Sequence, residues 1–405
     1  MAGPEQPFAT CDATMDAFAD HVSRGKVELY RALGLDLVMG RREGIRFWDA
    51  YSDRSWINCH CNGGVFNFGH RNPRVVGALR DALDELDVGN HHLVSGFRAE
   101  LARRLAATTE GRLGGVVFAP GGGEAIDIAI KAVRGVTGRN RIISAKGGYH
   151  GHTGLAVAAG DPEYRDSFGP NLPGFVQVPF DDLTALAALV DQDTAAVLLE
   201  PVPATLGMPI ASGAYLPGVE ALCHEWGVKL ILDEVQTGLG RTGRIWCAEH
   251  DGLEADALVT GKGLGGGVYP ISAVLLTPEL HAFFDPNPFL HVTSFGGAEL
   301  GCVAALAVLD IVEESGFLDR VLAISDRLAD AFEPLPFELR RHGLMMAFKF
   351  ADEGSAMTAT TDLFDAGVFV VWANNDRSAV QFLPPLVITD DEVDELIDRV
   401  RGVFA

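Results

Sequence analysis

The chain has 405 residues, 48% hydrophobic and 21% charged, which is enough apolar material for a large buried core and far too much for a disordered protein. Asp plus Glu outnumber Lys plus Arg by 55 to 32, and a formal charge of -23 repels nucleic-acid phosphates and anionic membrane surfaces, so neither is expected as a partner. Six cysteines make no disulfide framework, the N-terminus has no basic segment followed by an apolar run, and no uncharged apolar stretch of about 18 residues occurs, so a cytoplasmic enzyme is expected.

Up to about residue 60 the pattern is mixed: a helical stretch over 15–33, then strand-like pieces around Leu37 and over 45–48. Beyond His70, helical periodicity covers 73–86, 96–108, 125–137 and 216–226. Between these lie short β runs at 115–119, 141–144, 195–200, 228–233, 257–260 and 271–276. Runs such as Ala196-Val197-Leu198-Leu199 and Leu230-Ile231-Leu232 do not alternate, which marks parallel strands buried on both faces. A long helix (302–314), another helix, strand-like segments at 344–350, 368–372 and 379–382, and a closing helix over 390–404 complete the chain. The expected organisation is α/β. A large domain with a mostly parallel sheet spans 61–300, and a smaller α+β domain combines 301–405 with the N-terminal segment 1–60.

In open parallel sheets, reactive groups gather just past the C-terminal ends of the strands. At the first such end, Val117-Phe118-Ala119 runs into Pro120-Gly121-Gly122-Gly123 and a helix, whose free N–H groups make an anion site. A plain tight turn is the alternative, and no Gly-Lys-Ser/Thr closes a P-loop here. At the second, Asp233 ends an apolar strand and needs a partner there, either a structural cation or donor or a protonated ligand nitrogen. The adjoining Gly238-Leu239-Gly240-Arg241-Thr242-Gly243 matches the dinucleotide fingerprint by letter only. It starts too far beyond the strand and no apolar helix pattern follows, so nicotinamide is not expected. At the third, Lys262, one of six lysines, sits between an apolar strand and a glycine run, whereas the other five read as solvated. A desolvated lysine loses its proton and attacks a carbonyl; a surface lysine in a glycine-rich loop is the alternative. Anion cradle, buried acid and desolvated lysine together suggest pyridoxal 5'-phosphate, which has a phosphate, a ring nitrogen to keep protonated and an aldehyde that a lysine holds as a Schiff base.

Six motifs then fall in order along nearly the whole chain: Phe68-Gly69-His70-Arg71-Asn72-Pro73, Tyr149-His150-Gly151-His152, Asp233-Glu234-Val235-Gln236-Thr237-Gly238, Gly266-Gly267-Val268-Tyr269-Pro270, Thr293-Ser294-Phe295-Gly296-Gly297 and Phe382-Leu383-Pro384-Pro385-Leu386. Together they resemble the class III pyridoxal-phosphate aminotransferases of fold type I, the group of the ornithine, 4-aminobutyrate and diaminobutyrate enzymes. The resemblance implies a seven-stranded, mostly parallel sheet in the large domain. It also implies transfer of an amino group between an amine or amino acid and a keto acid. By the resemblance, Lys262 carries the cofactor and shuttles the proton, Asp233 holds the ring-nitrogen proton, and Gln236 bonds the ring's 3-oxygen. Val235 and Tyr149 cover the two ring faces with His150 beside them, Gly122 and Gly123 offer N–H groups to the phosphate, and Glu200 supports the ring. Thr293 and Ser294 belong to a segment that reaches the phosphate of the other subunit, implying a homodimer with its active site at the interface.

The chain departs from that family where ornithine-type enzymes grip a carboxylate. Gln381 stands for their Arg and Thr205 for the Glu that pairs with it, and the phosphate turn lacks a hydroxyl at Gly121-Gly122-Gly123. Selectivity should shift toward amines whose acidic group, if any, is held elsewhere, with Arg71 or Arg98 as candidates. A lyase, aminomutase or epimerase using the same cofactor is the alternative activity; a binding-only relative is disfavoured by the intact Lys262, Asp233 and Gln236. Cys59-His60-Cys61 and His91-His92 lack the partner pairs of a zinc site, so no metal is expected. Asn62 and Phe66 read equally as pocket walls or core, and His150 and His152 as acid–base groups or structural hydrogen bonders.

Overall fold

The computed structural model describes residues 5–404. Three strands come first: β1 (Met39–Glu43), β2 (Arg46–Asp49) and β3 (Ser55–Asn58). Seven follow: β4 (Gly115–Ala119), β5 (Arg141–Ala145), β6 (Phe175–Val178), β7 (Thr194–Leu199), β8 (Lys229–Asp233), β9 (Ala257–Thr260) and β10 (Ser272–Leu276). The last five are β11 (Glu338–His342), β12 (Met345–Lys349), β13 (Val368–Phe369), β14 (Val371–Ala373) and β15 (Asp376–Phe382).

The middle seven form one sheet in the order β4-β10-β9-β8-β7-β5-β6. Neighbours from β9 to β6 run parallel. Strand β10 is antiparallel to both β9 and β4, so the sheet is mixed at that end, a direction its apolar composition does not reveal. All six residues of β7 are buried because both sheet faces are covered. Ala196 and Leu198 face a cluster with Ile126, Ile130 and Val133 of the helix Gly122–Thr137. Val197 and Leu199 face the opposite cluster, with Leu216 and Val219 of the helix Tyr215–Trp226. Gly138 (φ 66°) and Gly227 (φ 58°) end these two helices in the left-handed conformation that glycine adopts without penalty.

The helical stretch expected over 15–33 is two helices, Cys11–His21 and Arg24–Ala32. Ser23 breaks it: its backbone is extended and its hydroxyl accepts from Lys26 N, capping the second helix. Strands β6 and β11 were not expected either; both are sheet edges, held by backbone pairing with one neighbour.

The N- and C-terminal parts of the chain share a sheet, β1-β2-β3-β13, through parallel pairing of Val368 with Ile57. Trp56 on β3 stacks on Phe47 (5.6 Å between centroids) and on Phe364 (4.8 Å), and its Nε1 donates to Phe364 O across 2.8 Å. Phe364 lies on the helix Glu353–Asp365, so this aromatic stack locks the two chain ends together. Phe364→Ala is expected to cost about 3–5 kcal/mol of unfolding free energy, read from the urea midpoint, because it leaves a buried cavity against the Trp56 ring.

Candidate active site

Five strands of the large sheet deliver side chains or turns to one end, where they line a cavity of about 420 Å³. Gly122 and Gly123 follow β4, Tyr149 and His150 lie beyond β5, Glu200 directly follows β7, Asp233 ends β8, and Lys262 lies just past β9. Val235 and Gln236 complete the set from the turn after Asp233. The antiparallel β10 starts at the same end, so its first residue, Ser272, also lines the cavity.

Asp233, 5% exposed, is not left unpaired. Its Oδ2 accepts from His150 Nδ1 at 2.9 Å and its Oδ1 from Val235 N at 3.1 Å. Burial alone would lower the His150 pKa, but the hydrogen bond and charge of Asp233, helped by Glu200, raise it. Glu200 accepts from Tyr149 N at 2.8 Å, and burial, reinforced by Asp233, pushes its pKa to about 7. Lys262 Nζ donates to Gln236 Oε1 at 2.7 Å; burial holds its pKa below the ordinary lysine value although Asp233 and Glu200 pull the other way. The Lys262 backbone is left-handed (φ 45°), a strained state for a residue with a side chain, of the kind that concentrates at functional sites.

A second segment closes over the lysine. Cys61, Asn62, Gly63 and Gly64 all have positive φ (52°, 50°, 64° and 102°), and a Cβ on Gly63 would lie 3.4 Å from Lys262 Nζ. Beside it, burial and the Lys262 charge lower the His60 pKa to about 4, so His60 is neutral near pH 7. Sequence reading picked out only Asn62 of this turn, as pocket wall or core alike, and did not place the turn over the lysine. Its signal was the pair Gly63-Gly64 just before the family-like Gly69-His70 motif.

The cavity offers an anion cradle. The helix Gly122–Thr137 begins at Gly121 with no side-chain cap, which leaves its first-turn N–H groups open to a ligand. A Cβ on Gly122 would sit 3.3 Å from Val235, and one on Gly123 would sit 3.0 Å from Thr153 Oγ1, so glycine is what keeps the cradle open. At the other side, the buried Gln236 Nε2 has no hydrogen-bond partner among the described residues and is free to donate. An anion cradle, a carboxylate backed by an imidazole, a spare amide donor and a desolvated amine match the groups of pyridoxal phosphate one for one.

Not every expected residue is here. Thr293 and Ser294 lie outside the cavity on the stretch between Phe284 and Glu299, with Ser294 exposed. Thr205 donates to Gly147 O at 3.0 Å and its carbonyl accepts from Asn375 N, while Gln381 is buried on β15 between Ala347 and Val371; neither lines the cavity. Arg98 does not fill their place, because its guanidinium donates to the carbonyls of Gly297, Asn90 and Leu93, and Arg71 is exposed. Cys59, His60 and Cys61 join no metal site: among the described residues, no group of three or more His, Cys, Asp or Glu is placed to hold a metal ion.

Comparison with known proteins agrees with this geometry. A sequence profile described as Aminotransferase class-III matches residues 31–404. An uncharacterized aminotransferase of Archaeoglobus fulgidus is 50% identical over 396 residues, covering 96% of this chain and 93% of that protein. Among solved structures, the ornithine aminotransferase of Toxoplasma gondii ME49 superposes with a TM-score of 0.89 at 27% identity, over 98% of this chain and 96% of that one. An amine transaminase from an uncultivated Pseudomonas species, in its PLP-bound form, superposes with a TM-score of 0.82 at 26% identity, over 91% and 94%. The chain belongs to the class III aminotransferases, enzymes of fold type I that work with pyridoxal phosphate.

Proposed function

We propose that Lys262 is the amine that holds the cofactor and that the enzyme transaminates a primary amine against a keto acid. The observation that carries this reading is Lys262 Nζ in the cavity, 2.7 Å from Gln236 and one strand away from the buried Asp233. When bound, pyridoxal phosphate supplies an electron sink for charge that develops at the substrate carbon. Asp233 would hold a proton at the ring nitrogen, and His150 fixes the rotamer of Asp233 from behind. Lys262, whose pKa burial lowers, is placed to move the proton at the substrate carbon. Gly122 and Gly123 hold the phosphate with backbone N–H groups, Gln236 donates from its spare Nε2 to the ring oxygen, and Val235 and Tyr149 confine the ring. Glu200, by accepting from Tyr149 N, keeps Tyr149 and His150 in register with Asp233.

The substrate side carries no arginine among the cavity-lining residues, and its walls include Val65, Val268, Tyr269 and Ile271. This favours an amine with an apolar body over a dicarboxylate, and the Pseudomonas amine transaminase supports that class by its name and its likeness. The compartment we infer is the cytoplasm, supported by six free cysteines, five of them buried; no helix among the described residues is long and apolar enough to cross a membrane. We read residues 61–300 as the cofactor-holding domain and 301–405 with 1–60 as the smaller one, supported by the sheet that β3 and β13 share.

The active unit in this reading is a homodimer. Leu93, Val94, Phe289 and Phe295 expose 66%, 101%, 58% and 61% of their surface on two neighbouring segments. Those segments are tied together by Arg98 and by the His92–Phe289 contact at 5.3 Å. An apolar patch of this kind calls for a partner, and the same surface presents Thr293 and Ser294. Sedimentation at working concentration is expected to show a dimer, and a fully active monomer would overturn this reading.

Two further outcomes test the chemistry. Borohydride treatment followed by peptide mapping should recover the reduced cofactor on Lys262, and Lys262→Ala should abolish turnover. Donor selectivity should favour apolar primary amines over glutamate and 4-aminobutyrate in kcat/KM by about tenfold or more, because no arginine among the cavity-lining residues offers the bidentate grip a carboxylate needs. Efficient use of glutamate by the enzyme would sink the amine assignment.

A further inference from the structure

The stretch that matches a dinucleotide fingerprint by letter contains Arg241, a side chain with no exposed surface. Among the described residues no carboxylate pairs with it. Its Nη1 donates to Leu344 O at 3.0 Å and Pro384 O at 2.7 Å, its Nη2 donates to Asn67 Oδ1, and its Nε has no partner. Burial lowers its pKa to about 10, so the guanidinium stays charged at any ordinary working pH. Burying a cation without a counter-ion is costly, and charge-assisted bonds to carbonyl oxygens offset the cost only while all of them hold. Such an arrangement calls for an explanation in function.

The explanation lies in what Asn67 touches. Asn67 is 2% exposed, and its backbone is fixed from two sides, N to Gly64 O at 3.3 Å and O from Leu386 N at 2.7 Å. Its side-chain amide stands 3.1 Å from where a Cβ on Gly263 would sit, and its Oδ1 stands 3.3 Å from where one on Gly64 would sit. Gly64 ends the left-handed turn over Lys262, and Gly263 is the residue that follows Lys262. The other arm of Arg241 holds Pro384, just beyond the strand that carries Gln381.

We propose that Arg241 is a positioning residue for transamination: acting through Asn67, its guanidinium sets the turn Cys61–Gly64 and the Gly263 backbone on either side of Lys262 Nζ. The proposal rests on Lys262 being the reactive amine. Lysine cannot substitute, since a single ammonium does not span three acceptors in a planar fork. The turn above Lys262 then relaxes, and a misplacement of about 1 Å at the reacting amine is enough to lower the rate by up to about 100-fold.

The holoenzyme is tested as Asn67→Ser, Arg241→Lys and the double variant. Four quantities are read: bound pyridoxal phosphate, borohydride labelling of Lys262, the rate at which an accepted amine converts the cofactor's absorbance, and the pH midpoint of that absorbance in the resting enzyme. Expected are retained cofactor and labelling at Lys262, a 10- to 100-fold slower conversion in each single variant and a shifted midpoint. The double variant should be no slower than the worse single one, because both act on one contact. Unchanged rate and midpoint, even with a lower melting temperature, would overturn the proposal, as would losses that multiply. Should Arg241→Lys fail to fold, Asn67→Ser decides by the same two readouts. Reduced cofactor recovered on a different lysine would overturn the Lys262 assignment and the proposal with it, whereas intact labelling with an unmoved rate overturns the proposal alone.

Discussion

A carboxylate at the end of a buried strand is the constraint around which the rest of the site is arranged. Asp233 terminates β8, four of whose five residues are buried, and survives there because His150 and the Val235 N–H meet both of its oxygens. To put His150 in place the loop after β5 must turn back over the sheet, and Glu200, at the end of the next strand, holds that loop through Tyr149 N. Each group bears the electrostatic consequence of the others. Burial, reinforced by Asp233, pushes Glu200 to about 7; outside that set, burial with the charge of Glu249 also pushes Glu234, wholly buried and accepting from Cys247 N, Ala248 N and Thr237 Oγ1, to about 7. Both carboxyls titrate higher in the folded chain than in the unfolded one. The stability they contribute is therefore complete below pH 4.5 and is lost as pH rises through about 7. A cationic ring held in the cavity would relieve the negative charge that Asp233 and Glu200 share.

The limits of β4, β9 and the closing helix Asp390–Phe404 coincide with those read from the sequence, because each is a run whose apolar pattern starts and stops sharply. What escaped was set by contacts between distant residues. Strand β11 reads Glu-Leu-Arg-Arg-His and has no apolar alternation; it exists because β12 offers it backbone partners. Strand β6 is four residues long at the sheet's edge, too short for a periodicity to stand out. The break at Ser23 turns on one hydroxyl, which a periodic pattern running straight through it conceals.

The site divides in the same way. Its charged and glycine residues lie at strand ends, where position along the chain already says what they face, so their gathering in one cavity was legible. Of the turn over Lys262 only Asn62 was read as a candidate wall, and the Arg241–Asn67 pair was not legible at all. Asn67 and Arg241 are far apart in sequence and carry no local pattern that links them, so only the folded chain shows that one bonds the other. The same holds for Arg98, a candidate carboxylate binder by residue type that is occupied by three carbonyls.

The short parallel pairing of β3 with β13 bears on how this chain is made. Val368 leaves the ribosome 311 residues after Ile57 (368 − 57). Until then β3 has β2 on one side and an open edge on the other, and Trp56 lacks the ring of Phe364 beneath it. Contacts of such long sequence separation form late and slowly. The nascent chain therefore carries an exposed, aromatic-rich edge while the residues between Ile57 and Val368 are made, the kind of surface that invites wrong pairing or a chaperone. The sheet of β1, β2 and β3 is thus completed only after all seven strands of the large sheet have been translated.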